Sequence, residues 1–263
     1  MDLGLRGKFA FVAASSRGLG RAVADELGAE GANVAVCARN EQLIHDVARE
    51  IADKHRVKTF AIAADLSEDG EAERAVNAAL KEFGRVDVLV TNAGGPAAGK
   101  FESHDDQAWS NAIKLNLQSA IGLTRAALPG MKERRWGRII NITSIAVKQP
   151  VDNLILSNSV RAAVVGMART LANEVASFKV TVNNVLPGYT RTERIDELTA
   201  FSAKQTGKTE DEIRGVWEQQ IPIGRLGEPH EFAALVAFLA SERASYITGS
   251  SIAVDGGWIK GLL

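Results

Sequence analysis

The sequence predicts an α/β protein built on one doubly wound parallel sheet of about seven strands, with helices on both faces. Three observations carry this reading. Short apolar runs rich in valine and isoleucine alternate with longer helical patterns as far as about Asn184, the rhythm of repeated strand–helix–strand units. The runs are apolar almost throughout, so both faces of the sheet are expected to lie under helices. The first run leads directly into a turn with Gly18 and Gly20 that opens an amphipathic stretch.

In chain order the strands are read at KFAFVAA, NVAVCA, KTFAIAA, VDVLVTNA, GRIINIT and KVTVNNVLPG, with SSIAVDGG near the end. No repeat, low-complexity tract or linker divides the chain, so one domain over 1–263 is expected. Residues 190–220 break the alternation with a charged, helix-prone segment between a strand end and the next helix. That segment reads either as a mobile lid over a site or as a solvated helical excursion.

At 263 residues and 46% hydrophobic content the chain can bury a large core. Its formal net charge of -1 gives no footprint for nucleic acid or an anionic membrane, so a small-molecule partner is expected. The single cysteine, Cys37, lies in an apolar strand and reads as a buried structural thiol. No stretch has the makings of a leader, and none approaches the roughly 18 apolar residues of a membrane span. A cytoplasmic protein is expected.

The turn AASSRGLGRAVADELG has the form that aims free backbone N–H groups at a phosphate: strand, short glycine turn, helix. Ser15 and Ser16 add hydroxyls and Arg17 a charge. The second strand ends in Ala38 and Arg39, without the acidic residue that accepts from an NAD ribose. Arg39 and Arg17 therefore favour NADP over NAD; the competing reading makes both ordinary surface cations.

Together these motifs resemble the short-chain dehydrogenase/reductase family, and within it the 3-oxoacyl-acyl-carrier-protein reductases, over nearly the whole chain. SSRGLG (Ser15 to Gly20, including Leu19) matches the glycine turn, with Ala14 where the family usually has its first glycine. Asp65 and Leu66 match the adenine-contacting strand end, and Asn92, Ala93 and Gly94 the motif after the fourth strand. Asn116 matches the helix asparagine, Ser144 the active-site serine, and Pro187, Gly188, Thr190 and Thr192 the loop that holds the nicotinamide carboxamide. The resemblance implies a Rossmann-type fold, hydride transfer between nicotinamide and a carbonyl or alcohol, a carbonyl or acyl-thioester substrate, and a homotetramer.

In that family a tyrosine donates the proton and a lysine four residues on lowers its pKa and grips the ribose. Counting from Ser144 at the family's spacing puts Ser157 at the tyrosine position and Arg161 at the lysine position. Ser157 is a far weaker acid than a phenol. Arg161 is expected to stay charged above roughly pH 12, unable to relay a proton but able to bond the ribose or steady an alkoxide. By itself LILSNSVRAA reads as a helix start with Ser157 as its cap.

The chain's two tyrosines, Tyr189 and Tyr246, fall in the cofactor loop and a structural segment. Lys148 and His104 are the remaining donor candidates, each against a bland reading as a surface residue. His45, His55 and His230 show no metal-ligand spacing, and no metal is expected. Two functions compete: an NADP(H)-dependent oxidoreductase using Asn116, Ser144, Ser157 and Arg161 as an altered site, and a cofactor-binding homologue without turnover.

Overall fold

The computed structural model describes residues 2–262. Its strands are β1 (Phe9–Val12), β2 (Asn33–Ala38), β3 (Thr59–Ala63), β4 (Val88–Thr91), β5 (Gly137–Ile142), β6 (Val180–Pro187) and β7 (Ser251–Val254), one at each apolar run. All pair in parallel, in the order β3-β2-β1-β4-β5-β6-β7. The chain winds outward from β1 through β3, then crosses back to place β4 on the other side of β1. At that reversal the connections leave in opposite directions and open a crevice beyond the carboxyl ends of β1 and β4.

The helices are α1 (Gly18–Ala29), α2 (Glu41–His55), α3 (Glu71–Phe83), α4 (Asp106–Ile113), α5 (Ser119–Arg134), α6 (Ile155–Val175), α7 (Glu193–Thr206), α8 (Glu210–Gln220) and α9 (Pro229–Ala240). Strand pleating divides the apolar runs between two cores. Ala10, Val12, Val34, Val36, Val88, Val90 and Ile140 face α1, α2 and α9. Their neighbours Phe11, Ala35, Cys37, Leu89 and Ile139 face α3, α5 and α6. A continuous run of apolar residues is thus two interleaved sets, each burying its own face. Burial pushes the Cys37 thiol up to about 12, which makes it an inert structural group as expected.

Residues 191–226 form an anchored helical excursion. A parallel bridge between Thr190 and Gly227 closes its base, with Gly227 N–H donating to the Tyr189 carbonyl at 2.9 Å. Thr209 and Glu212 cap α8 reciprocally, which fixes its start. Tyr189 stacks on Trp217 of α8, centroids 4.8 Å apart, and meets Trp258 edge-on at 5.8 Å. Ile195, Leu198 and Trp217 pack with Ile145, Val151 and Leu186, so the inner side of the excursion is apolar and tied to the strand ends. Among the described residues no helix is long and apolar enough to cross a membrane, and no acidic, histidine or cysteine cluster could hold a metal.

Candidate active site

The turn after β1 is shaped by backbone need. Ala14 has φ +47°, in the left-handed region, so the position calls for glycine and the alanine methyl is carried at a steric cost. A Cβ at Gly20 would run into the Ala14 carbonyl and approach the Asn92 side-chain nitrogen at 2.9 Å. That close approach lets Asn92 Nδ2 donate to the Ala14 carbonyl at 3.3 Å, joining the end of β4 to the turn. No side chain caps α1 and no acidic residue lies in its first turn, so its N-terminal N–H groups are available to an anion. Gly18 borders a crevice of about 780 Å³ shared with Arg191, Thr192 and Glu193.

Ser15 is corrected from a phosphate donor to a strut. Its hydroxyl is fully buried, donates to the Val12 carbonyl at 2.8 Å and accepts from the Cys37 N–H at 3.0 Å, locking β1 to β2. Ser16 is half-buried and Arg17 exposed. Arg39 is exposed and stands 4.0 Å from Asp65. Asp65 accepts from the Ser67 hydroxyl at 2.6 Å and its N–H at 3.0 Å; burial opposes ionisation, yet these bonds and Arg39 hold the carboxyl below its ordinary value. The Leu66 side chain belongs to the core under α3, so only its backbone can serve a ligand.

Asn116 sits in a π-helical turn, Lys114–Gln118, that interrupts the helix between α4 and α5. It is buried; Nδ2 donates to the Ala112 carbonyl at 3.4 Å, while Oδ1 has no partner. Ser144 follows β5, and its Oγ accepts from the Ala146 N–H at 3.1 Å, which leaves the hydroxyl proton free to donate. Ser157 lies inside the first turn of α6; Leu154 is the N-cap and no side chain caps the helix, so the capping expectation for Ser157 is overturned. Ser157 is buried.

Arg161, one turn further along α6, is buried. Nη1 donates to the carbonyls of Ile142 (3.1 Å) and Thr143 (3.0 Å), and Nη2 to that of Ala93 (3.4 Å). The guanidinium therefore ties the carboxyl ends of β4 and β5 together beside Ser144. Burial, with the nearby Arg194 charge, lowers Arg161 to about 10, below the value expected of an arginine, though it stays charged at neutral pH. Arg161, Asn116, Asn92 and Ala93 line one small cavity with Thr143.

Gly188 passes so close to the chain after β7 that a Cβ would stand 2.7 Å from the Asp255 Cα. Thr190 is buried, with its hydroxyl donating to the Gly188 carbonyl at 3.3 Å, and Gly94 is exposed. Lys148 is exposed, as its bland reading has it. His104 is not an ordinary surface residue: its Nε2 is buried without a partner beside Gly99, which pairs with Leu154 at the start of α6. Tyr189 is held in its aromatic cluster, with burial first and then the Asp152 charge pushing its phenol up to about 12, and Tyr246 is fully exposed. His55 bonds Asp25 at 3.0 Å, a structural pair between α2 and α1.

One residue the sequence reading missed is Arg194, in the first turn of α7. Its Nη2 donates to the Pro96 carbonyl at 2.8 Å, and a Cβ at Gly95 would meet its Nε at 2.6 Å. In sequence it is one more charge among many on a helix-prone segment, and no spacing marks it.

A glycine turn at the first β–α junction, a topological switch point beside it and polar groups at the ends of β4 and β5 define a dinucleotide-dependent oxidoreductase. Residues 13–259 match the family model described as Enoyl-(Acyl carrier protein) reductase. The 3-oxoacyl-[acyl-carrier-protein] reductase of Vibrio cholerae is 36% identical over 255 residues, covering 97% of this chain and 98% of that one. The corresponding reductase of Aquifex aeolicus is 34% identical over 257 residues, covering 98% and 99%. L-sorbose reductase from Gluconobacter frateurii, solved with NADPH and L-sorbose, superposes with a TM-score of 0.93 at 34% identity over the whole of both chains. The chain belongs to the short-chain dehydrogenase/reductase family, whose members are NAD(P)-dependent oxidoreductases.

Proposed function

We propose that this chain is an NADP(H)-dependent reductase of a carbonyl or acyl-thioester substrate, working as a cytoplasmic homotetramer of single-domain subunits with residues 190–220 as a lid. The observation that carries the reading is Arg161. It occupies the position of the family's lysine, yet is bound into the ends of β4 and β5, so that at neutral pH a charge is held at the Thr143 carbonyl, next in the chain to Ser144.

The residues present fit a dinucleotide. The uncapped α1 N-terminus, cleared by Gly18 and Gly20, suits a pyrophosphate, with Ser16 and Leu19 beside it. Arg17 and Arg39 suit a 2′-phosphate, which favours NADP over NAD. Asp65 and the backbone at Leu66 suit the adenine, and Asn92, Ala93, Gly94, Pro187, Gly188 and Thr190 the nicotinamide end. When bound there the cofactor supplies or accepts a hydride. On reduction the carbonyl carbon gains that hydride and its oxygen a proton.

Ser144 donates a hydrogen bond to the carbonyl oxygen with the proton its Ala146 contact leaves free. Arg161 stabilises the developing alkoxide by charge, and Ser157 offers a hydroxyl through which a solvent proton passes. Asn116 has an unpartnered buried oxygen and lines the same small cavity as Arg161, where that oxygen can accept from a substrate or water. Losing a tuned acid costs about 10²- to 10⁴-fold, so the enzyme is slow unless its substrate compensates. NADPH oxidation measured across a carbonyl panel, for the parent and Ser144→Ala, tests this; inertness of the parent toward every carbonyl would count against it.

The second reading is a cofactor-binding homologue without turnover. It is favoured by the placement of both tyrosines away from Ser157, one in an aromatic cluster and one in solvent. Strong reduction gained only in Ser157→Tyr/Arg161→Lys, with NADPH binding unchanged from the parent, would support it. The homotetramer rests on the family resemblance and on a groove of about 450 Å³ across α5 and α6, walled by Ile121, Met167 and Leu171. Light scattering decides it.

A further inference from the structure

Two guanidinium groups converge on the loop from Ala93 to Pro96. Arg161 donates to the Ala93 carbonyl at 3.4 Å and Arg194 to the Pro96 carbonyl at 2.8 Å, so a segment of four residues is held by a cation at each end. Gly95, between them, leaves the room that the Arg194 guanidinium fills. Arg161 makes no ion pair with any described residue. Arg194 has one, to Glu197 at 3.2 Å, a largely exposed neighbour on its own helix.

Arg161 is buried and the Arg194 side chain about a third exposed; like charges brought to one short loop repel, and the repulsion is relieved when an anion joins them. The Arg194 charge adds to burial in weakening the hold of Arg161 on its proton. A guanidinium is a planar fork suited to a carboxylate, and both arginines retain N–H groups beyond those given to the loop. Arg161 bonds the Thr143 carbonyl, next in the chain to Ser144, where the reacting carbonyl is proposed to lie, and Arg194, from α7, holds the other end of the same loop.

We infer that the substrate carries a carboxylate next to its reacting carbonyl, a 2-oxo acid, and that Arg194 binds this carboxylate with the Arg161 charge behind it. The inference rests on the reductase reading and narrows its substrate class. Arg194 is then the residue that selects substrate, acting from the segment proposed as the lid.

The test compares 2-oxobutanoate with its methyl ester. For the parent, kcat/KM with NADPH is expected to favour the acid by about 10- to 100-fold, the range set by one charge-assisted hydrogen bond. Arg194→Gln should bring the ratio toward one and Arg194→Lys should keep part of it. Equal rates for acid and ester in the parent, or a ratio unmoved by Arg194→Gln, would overturn the inference. So would a loss of NADPH affinity in Arg194→Gln matching its loss of rate, since the cofactor would then be the anion served. A second arm measures binding of both compounds calorimetrically to the protein saturated with NADP+, where reduction cannot occur. Acid binding that Arg194→Gln abolishes supports the inference even if turnover fails, and equal binding of acid and ester overturns it even if turnover succeeds.

Discussion

Arg161 on α6 holds the carbonyl of Ala93, beyond β4, at 3.4 Å, while its other terminal nitrogen holds two carbonyls at the end of β5. One side chain thereby joins the carboxyl ends of β4 and β5. Arg161→Met should leave those carbonyls unpaired and lower stability by about 3 kcal/mol, read as a shift in urea midpoint. Arg161→Lys, which keeps the charge and part of the bonding, should cost about 1 kcal/mol. Equal midpoints for Arg161→Met and the parent would show that the grip contributes nothing.

Restoring the family's acid should test whether the altered site still orients a substrate. Ser157→Tyr/Arg161→Lys is expected to raise kcat for ketone reduction by about 10²- to 10⁴-fold. No gain, with NADPH bound as in the parent, would mean that substrate is not positioned for hydride transfer.

The pH profile should carry the mark of Arg161. Its charged form is the one that steadies an alkoxide, and its pKa is about 10, so its contribution to kcat/KM should be level from pH 6 to 9 and fall as pH passes 10. The stability effect has the opposite sign. The folded pKa, about 10, lies below the ordinary arginine range, so above pH 10 the unfolded chain binds more protons and this group's contribution to stability rises with pH there. A step in kcat/KM near pH 7 that survives in Arg161→Met would assign the controlling titration to another group.

Ala14 carries a left-handed backbone, φ +47°, that glycine adopts freely. Ala14→Gly should therefore stabilise the fold by about 1 kcal/mol, seen as a higher melting temperature. An unchanged or lower melting temperature would show that the turn relaxes around the methyl.

Cofactor choice should follow the exposed arginines. Arg39→Asp is expected to weaken NADPH by about 10-fold or more and NADH far less, because only the former presents a 2′-phosphate to a guanidinium. Parallel losses for the two cofactors would remove Arg39 from their discrimination.

Much of this architecture was legible in the sequence because its signals are local. Valine-rich runs at helix-length spacing bury both faces as parallel strands, and each of the seven runs became a strand of one parallel sheet, with β3 and β7 at its edges. The backbone shape of the turn at Gly18 and Gly20 was legible from its motif, and the resemblance supplied the register on which the roles proposed for Ser144 and Arg161 rest. It was misread where a side chain's partner is distant in sequence. Ser15 is drawn inward by Cys37, 22 residues away, and Arg194 meets Pro96 across 98 residues. Burial sets the Arg161 pKa, and burial belongs to the assembled fold.

In the proposed reductase the Arg161 charge and the hydroxyls of Ser144 and Ser157 still support reduction. Single-turnover oxidation of NADPH by a panel of carbonyl compounds, followed for the parent and Ser144→Ala, tests it most directly. Measurable oxidation by at least one carbonyl is expected, falling about 100-fold or more in Ser144→Ala. A parent that binds NADPH yet oxidises it no faster than Ser144→Ala with every compound would contradict it.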